Sequence, residues 1–237
     1  MVAGEASGDL HAAAVVASMR RLAPEVPIVA VAGARTKAAG ALLLEDITAH
    51  AVMGFAGVIK QLPAHVRLLR VLRARMRSGN VGLVMLVDYP GFNLRVASAA
   101  HAAGVPVLYY ITPKVWAWRA GRLKAMRDTI TRAAVILPFE QSFLREHGIA
   151  ATYVGNPLLD GARDLPSRAL ARAKLGLPEN ARVLALFPGS RRGELAQHLE
   201  AFTATALELQ RRMPGLRVIV GVAPGMRIDV ARAPFQQ

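Results

Sequence analysis

Cysteine is absent from the 237 residues, which excludes disulfides, thiolate metal sites and cysteine nucleophiles together. Acidic residues are scarce. Sixteen Asp and Glu stand against thirty Lys and Arg, leaving a formal net charge of +14, a field that draws phosphates of any kind. Charge alone does not choose among nucleic acid, anionic lipid and phosphorylated sugar. Aromatics amount to 5%, and no stretch interleaves them with basic residues as single-strand nucleic-acid binders do. No helix-turn-helix, zinc-finger or RNA-recognition signature is visible, so nucleic acid is not an expected partner. Long apolar runs are missing too. None reaches the roughly 20 residues of a membrane-spanning helix, the longest being broken by Asp88, His101 or Pro106. The opening MVAGEASGDL has no basic start and carries Glu5 and Asp9 where a signal peptide would be apolar.

What is present is a hydrophobic fraction of 53%, enough for a sizeable core. Short β-rich runs alternate with helix-length amphipathic segments, the pattern of a parallel sheet covered on both faces. Strands are expected at Pro27–Ala32, Leu83–Val87, Val105–Ile111, Ala134–Leu137, Val183–Phe187 and Arg217–Val222, with MVAG as the end of another. Helices are expected at Asp9–Leu22, Val58–Arg77, Asn93–Ala103, Glu140–His147 and Arg192–Arg212. Val105–Ile111 is apolar without alternation, as a strand buried on both faces should be. The polar, proline-containing Asn156–Ser167 reads as a linker. It separates a first domain, 1–158, with a full complement of elements, from an incomplete second domain, 167–237, with too few strands to stand alone.

In open parallel sheets, ligands bind outside the C-terminal strand ends, so the loops after each strand carry the candidate residues. GEASGD, Gly4–Asp9, runs from a strand end into a helix whose N-terminus suits an anion; the spacing, neither GxGxxG nor P-loop, favours instead Ser7 or Asp9 as a cap of that helix. Asp88, in VDYPGFN, stands at the tip of an apolar strand, where partial desolvation suits a general base; Asp88 or Asn93 as a turn or cap residue is an equal alternative. TPKVWAWR holds Trp116, Trp118 and Arg119, aromatic faces beside cations that suit a sugar phosphate, or else rings packed at a domain edge. FPGSRRGE places Gly189, Ser190 and Arg191 ahead of a helix, a plausible diphosphate cradle.

A fifth feature lies between Val58 and Arg77. Val58, Ile59, Leu62, Val66, Leu69, Leu72 and Met76 recur at helical spacing, while Arg67, Arg70, Arg73 and Arg77 form a second stripe, with Pro63 expected to kink the first turn. A helix packed on the sheet explains the apolar stripe. The basic stripe, unrelieved by any acidic residue between Asp46 and Ser78, favours an anionic membrane surface.

Together, GEASGD, VMGF (Val52–Phe55), VDYPGFN, TPKVWAWR, PFE (Pro138–Glu140), VGNPL (Val154–Leu158) and FPGSRRGE stand in an order that resembles the lipid-A-disaccharide synthases. The resemblance runs to about Val222. It departs from common family residues at Gly57, Gly91, Thr112 and Lys114. It implies an α/β fold of the GT-B type: two Rossmann-like domains, the first nearly whole here and the second only begun. The implied reaction inverts the anomeric centre of a UDP-2,3-diacylglucosamine donor on a 2,3-diacylglucosamine 1-phosphate acceptor. It needs neither metal nor cofactor and gives the lipid A disaccharide 1-phosphate and UDP. By motif, Asp88 matches the general base toward the acceptor 6-hydroxyl and Arg191 the phosphate-binding arginine. Glu5, Ser7 and Asp9 match the loop at the cleft floor. The expected location is the cytoplasm, on the inner face of the inner membrane, with Val58–Arg77 as the docking helix. The chain reads as a fragment of such an enzyme, inactive alone. Two alternatives stand beside it: an acceptor-binding or membrane-docking module without turnover, and another UDP-sugar enzyme of the same fold, which should lack WAWR.

Overall fold

Buried, non-alternating apolar runs become the central strands. A computed structural model describes residues 1–47, 55–118, 120–190 and 192–223, leaving aside the side chains of 55–62 and 192. Val52–Gly54, Arg119, Arg191, the tail from residue 224, and the side chains of Val58, Ile59 and Leu62 thus lie outside what is described. The chain divides into two units, Met1–Gly161 and Ala162–Gln237.

In the first unit, β1 (Val2–Ala3), β2 (Val29–Ala32), β3 (Leu42–Asp46), β4 (Val84–Val87), β5 (Val107–Tyr110), β6 (Arg132–Val135) and β7 (Ala151–Tyr153) form one sheet. Its order is β3-β2-β1-β4-β5-β6-β7, and every pairing is parallel. Successive residues of a strand face opposite ways, and the core divides accordingly. Val2, Val31 and Leu86 join one buried cluster, with Leu68, Val96, Met126 and Leu144 from the helices. Ala3, Ala30, Ala32 and Val87 join another, with Ala12 and Val16. Helices therefore cover both faces. They are α1 (Ala6–Leu22), α2 (Ala34–Ala38), α3 (Phe55–Arg77), α4 (Pro90–Ala102), α5 (Arg122–Thr129) and α6 (Pro138–Glu146), with the short α7 (Leu158–Ala162) following. The expected parallel α/β architecture is the one found.

Several boundaries differ from the sequence expectation for local reasons. β6 ends at Val135 rather than Leu137 because Pro138 opens α6 at its first turn, where a missing N–H costs nothing. The Glu140 carboxylate then takes the Leu137 amide at 3.1 Å. Pro90 likewise starts α4 three residues before Asn93. α1 begins at Ala6, not Asp9, with Glu5 as an N-cap residue that makes no side-chain cap. α2, β3, α5 and β7 were not anticipated, and α7 occupies part of the stretch read as a linker. α3 runs through Pro63 without interruption. It is held by Leu68 and Met76, both buried, with Leu69 and Leu72 packed beside them; each buried aliphatic side chain contributes about 1.5–3 kcal/mol. Val66 and Val71 face outward, and Arg67 meets Glu45 of β3 at 3.2 Å.

In the second unit, α8 (Arg168–Lys174), β8 (Val183–Leu186), α9 (Arg192–Arg212) and β9 (Arg217–Val220) are described. β8 and β9 pair in parallel. Ser167 caps α8 by accepting the Leu170 amide. Among the described residues no helix is long and apolar enough to cross a membrane.

Candidate active site

The sheet order reverses at β1, which has β2 on one side and β4 on the other. At that point, loops on the carboxyl side of neighbouring strands diverge and open a crevice. β1 leads into Glu5 and β4 into Asp88, so the sequence-predicted residues Glu5 and Asp88 meet at the switch point.

Asp88 and Tyr89 both adopt left-handed backbone, φ 47° and 50°, a strain of order 1–3 kcal/mol each for residues with a Cβ. The surroundings hold that strain in place. The Asp88 amide donates to the Tyr110 carbonyl at 3.1 Å. The Asp88 carbonyl accepts the Tyr109 hydroxyl at 2.8 Å and the Asn93 amide at 2.7 Å. Asn93 Nδ2 also reaches the Val87 carbonyl at 3.2 Å, so Asn93 is the buried brace of the turn rather than its cap. Tyr109 is fully buried, and burial pushes its hydroxyl titration well up. Ile111, after β5, is left-handed as well, φ 56°. Strained non-glycine backbone thus gathers at the ends of adjacent strands.

The Asp88 carboxyl is raised above its ordinary value, first by burial and then by the Glu5 charge; the Tyr89 amide, His11 and Lys114 oppose the rise. His11, one turn beyond Ser7 on α1, is lowered by burial, against the pull of Asp88. Two carboxylates and two basic groups therefore share one neighbourhood, with a carboxyl made harder to ionise at its centre. Sequence reasoning passed over His11. The signal available was its i, i+4 spacing from Ser7, which puts both on one face of α1.

The remaining candidates separate. Ser7 lies exposed in the first turn of α1. Asp9 turns away from the crevice. Its carboxylate takes the amides of Gly33 at 2.8 Å, Arg35 at 3.1 Å and Thr36 at 3.1 Å, and the Thr36 hydroxyl at 2.6 Å. Its carboxylate is taken up at the start of α2, so Asp9 does not cap its own helix, as the loop pattern suggested, but the next one, 24 residues on. Trp116 donates from Nε1 to Glu140 at 3.1 Å and sets its ring edge-on to Phe139. Trp118 is 58% exposed, with the Arg122 guanidinium 5.7 Å from its ring centre. Arg119 falls outside the described residues. In the second unit Gly189 has φ 138°, and the Ser190 amide donates to Glu194 Oε2 at 2.8 Å. The turn expected to hold a diphosphate thus already engages an anion of its own chain. Arg191 is not among the described residues.

The fold and the switch-point crevice define a Rossmann-type α/β protein. At the level of fold alone, the chain resembles a Listeria monocytogenes structure provisionally named a UDP-N-acetylglucosamine 2-epimerase. The TM-score is 0.67 at 12% identity, covering 100% of this chain and 65% of that one. The family model described as lipid-A-disaccharide synthetase matches residues 1–234, and the chain belongs to that family. The lipid-A-disaccharide synthase of Myxococcus xanthus is 41% identical over 236 residues, covering 100% of this chain and 62% of that protein. That of Geobacter sulfurreducens is 40% identical over 226 residues, covering 95% and 59%. Lipid-A-disaccharide synthase 1 of Legionella pneumophila is 36% identical over 236 residues, covering 99% and 62%. The chain therefore spans about three-fifths of the length of these relatives.

Proposed function

We propose that this chain carries the acceptor side of a lipid-A-disaccharide synthase, with Asp88 as its general base. The reaction joins 2,3-diacylglucosamine from a UDP-linked donor to 2,3-diacylglucosamine 1-phosphate. Asp88 takes the proton of the acceptor 6-hydroxyl as that oxygen attacks the anomeric carbon of the donor. The bond from that carbon to UDP breaks, and the electron pair leaves on the diphosphate. Arg191 meets the departing charge, as a planar guanidinium suits a diphosphate. Attack opposite the leaving group inverts the anomeric centre. Glu5, Ser7, Trp118 and Arg119 are the further substrate contacts.

The observation that carries this reading is the Asp88 turn: a carboxyl at the switch point, in strained backbone, raised by burial and by Glu5. A carboxylate with a raised value is the stronger base and accepts the hydroxyl proton more readily, near the pH at which it works. Family membership supports a nucleotide-sugar donor and a lipid acceptor as the substrates. Acyl chains require that both sugars be drawn from a bilayer. The exposed Val66 and Val71 and the arginines of α3 suit its anionic face on the cytoplasmic side.

The test is an enzyme of the relatives' full length that contains this segment, incubated with both acyl sugars. Release of UDP with formation of the disaccharide is the expected result; acceptor binding without either product would favour a docking module. For the surface, salt-sensitive sedimentation with anionic vesicles is expected, and equal sedimentation with neutral and anionic vesicles would leave α3 as a packing helix only.

A further inference from the structure

Tyr89 is held at three points by partners far apart in sequence. Gly4 presents a bare face to its ring: a Cβ there would lie 2.1 Å from Tyr89 Cδ1 and 2.3 Å from Cγ. The Tyr89 hydroxyl lies 2.7 Å from His65 Nε2. Phe92 packs near both rings, with centroids 6.2 Å from Tyr89 and 5.2 Å from His65. His65 sits on α3 three residues before the buried Leu68, so it continues the inward face of that helix. Tyr89 follows Asp88 and shares its left-handed turn, and its amide is the backbone donor felt by the Asp88 carboxyl. Asp tolerates the left-handed region, but a bulky Tyr beside it does not favour it, so something outside the turn must hold the pair. The Tyr89 side chain is placed to do so.

We propose that Tyr89 is a positioning residue that fixes the Asp88 turn and, through His65, ties it to α3. Its ring on Gly4 sets the two loops of the switch point against each other, the one bearing Glu5 and the one bearing Asp88. Its hydroxyl on His65 makes the seating of α3 part of the geometry around the Asp88 carboxylate. A shift of α3, as on docking to a surface, is thereby felt at Asp88. The consequence for turnover rests on Asp88 being the base; the tether itself does not.

The tether is read by carbon-13 carboxyl NMR of Asp88 in this chain, with the signal assigned by its loss in Asp88→Asn. The groups facing that carboxyl are Glu5, His11, Lys114 and the Tyr89 amide, and none is altered by the variants used. Tyr89→Phe removes the hydroxyl and keeps the ring on Gly4. His65→Leu removes the partner and keeps the face of α3 apolar. Each is expected to move the Asp88 titration down toward the ordinary carboxylate range, because a loosened turn admits water. The double variant should move it no further, and His65→Gln, which can accept the hydroxyl, should restore it. Thermal midpoints should stay close to the parent, so that a loss of packing does not imitate the effect. An unmoved titration in both single variants, or additive shifts in the double, would overturn the tether. Failure of Asp88 as base would appear elsewhere, as undiminished turnover of Asp88→Asn in the full-length enzyme while the shifts in Tyr89→Phe and His65→Leu are still seen.

Discussion

The Asp9 carboxylate accepts the Thr36 hydroxyl at 2.6 Å while it also caps α2 through three backbone amides. Both residues are buried. Asp9→Ala leaves the three amides without an acceptor, while the Thr36 hydroxyl keeps the Asp9 carbonyl at 3.2 Å; each unsatisfied amide costs about 1–3 kcal/mol. The expected result is a fall in unfolding free energy of at least about 3 kcal/mol in denaturant melts, with acceptor affinity unchanged in whatever protein remains folded. Intact stability with weakened acceptor binding would return Asp9 to the crevice.

The raised Asp88 carboxyl has a consequence for stability. Between the ordinary carboxylate value and the raised one, the folded protein keeps a proton that the unfolded chain has lost. Stability therefore falls as pH climbs through that window and stays lower above it. Asp88→Asn removes this cost, so its thermal midpoint should exceed the parent's at neutral pH, and the advantage should vanish below the ordinary carboxylate value. In turnover the sign is opposite, since a base must be ionised to act: the rate should rise with pH through the raised value. Glu5→Gln removes the second cause of the rise and should carry that acid limb to lower pH. A limb unmoved in Glu5→Gln would separate the two carboxylates.

The tryptophans should part company. Trp116→Phe deprives the buried Glu140 of its indole partner and should cost about 1–3 kcal/mol of stability. Trp118→Ala, at an exposed ring, should leave the melt within about 0.5 kcal/mol and raise the KM for the acyl-sugar phosphate. A KM effect confined to Trp116 would reverse these roles.

At Gly189, φ is 138° and an added Cβ would lie 2.4 Å from the Glu194 Cβ. Gly189→Ala should displace Glu194 from the Ser190 amide and loosen the start of α9. Hydrogen exchange at Ser190 is the measurement, and faster exchange is the expected outcome. Unchanged protection would mean that the turn absorbs the methyl.

What could be read in the sequence was what depends on local pattern. Val107–Tyr110 and Val84–Val87 announce themselves by unbroken apolar runs, and the parallel arrangement follows from their alternation with helices. β3 did not, because LLLED ends in two acidic residues and, at the sheet edge, leaves Leu42 exposed, so it lacks the apolar run of a central strand. β7 has three residues and no pattern to detect. At the site, Asp88 was legible because a carboxylate interrupts an apolar strand. Asp9 looked like a residue of the same loop, yet its partners lie 24 to 27 positions away, and local reasoning cannot distinguish a cap on its own helix from a cap on the next. The braces supplied by Tyr109 and by His65 through Tyr89 are tertiary in the same sense. No spacing along the chain brings residue 65 to residue 89.

The role of Asp88 is the center of this reading, and turnover of Asp88→Ala in an enzyme of the relatives' full length tests it most directly. Circular dichroism and the thermal melt establish first that the variant is folded. UDP release is then measured at saturating concentrations of both sugars. A loss of roughly 100-fold or more in kcat, as removal of a general base produces, is the expected result. Turnover within a few-fold of the parent would contradict it and leave the strained Asp88 turn without a part in the chemistry.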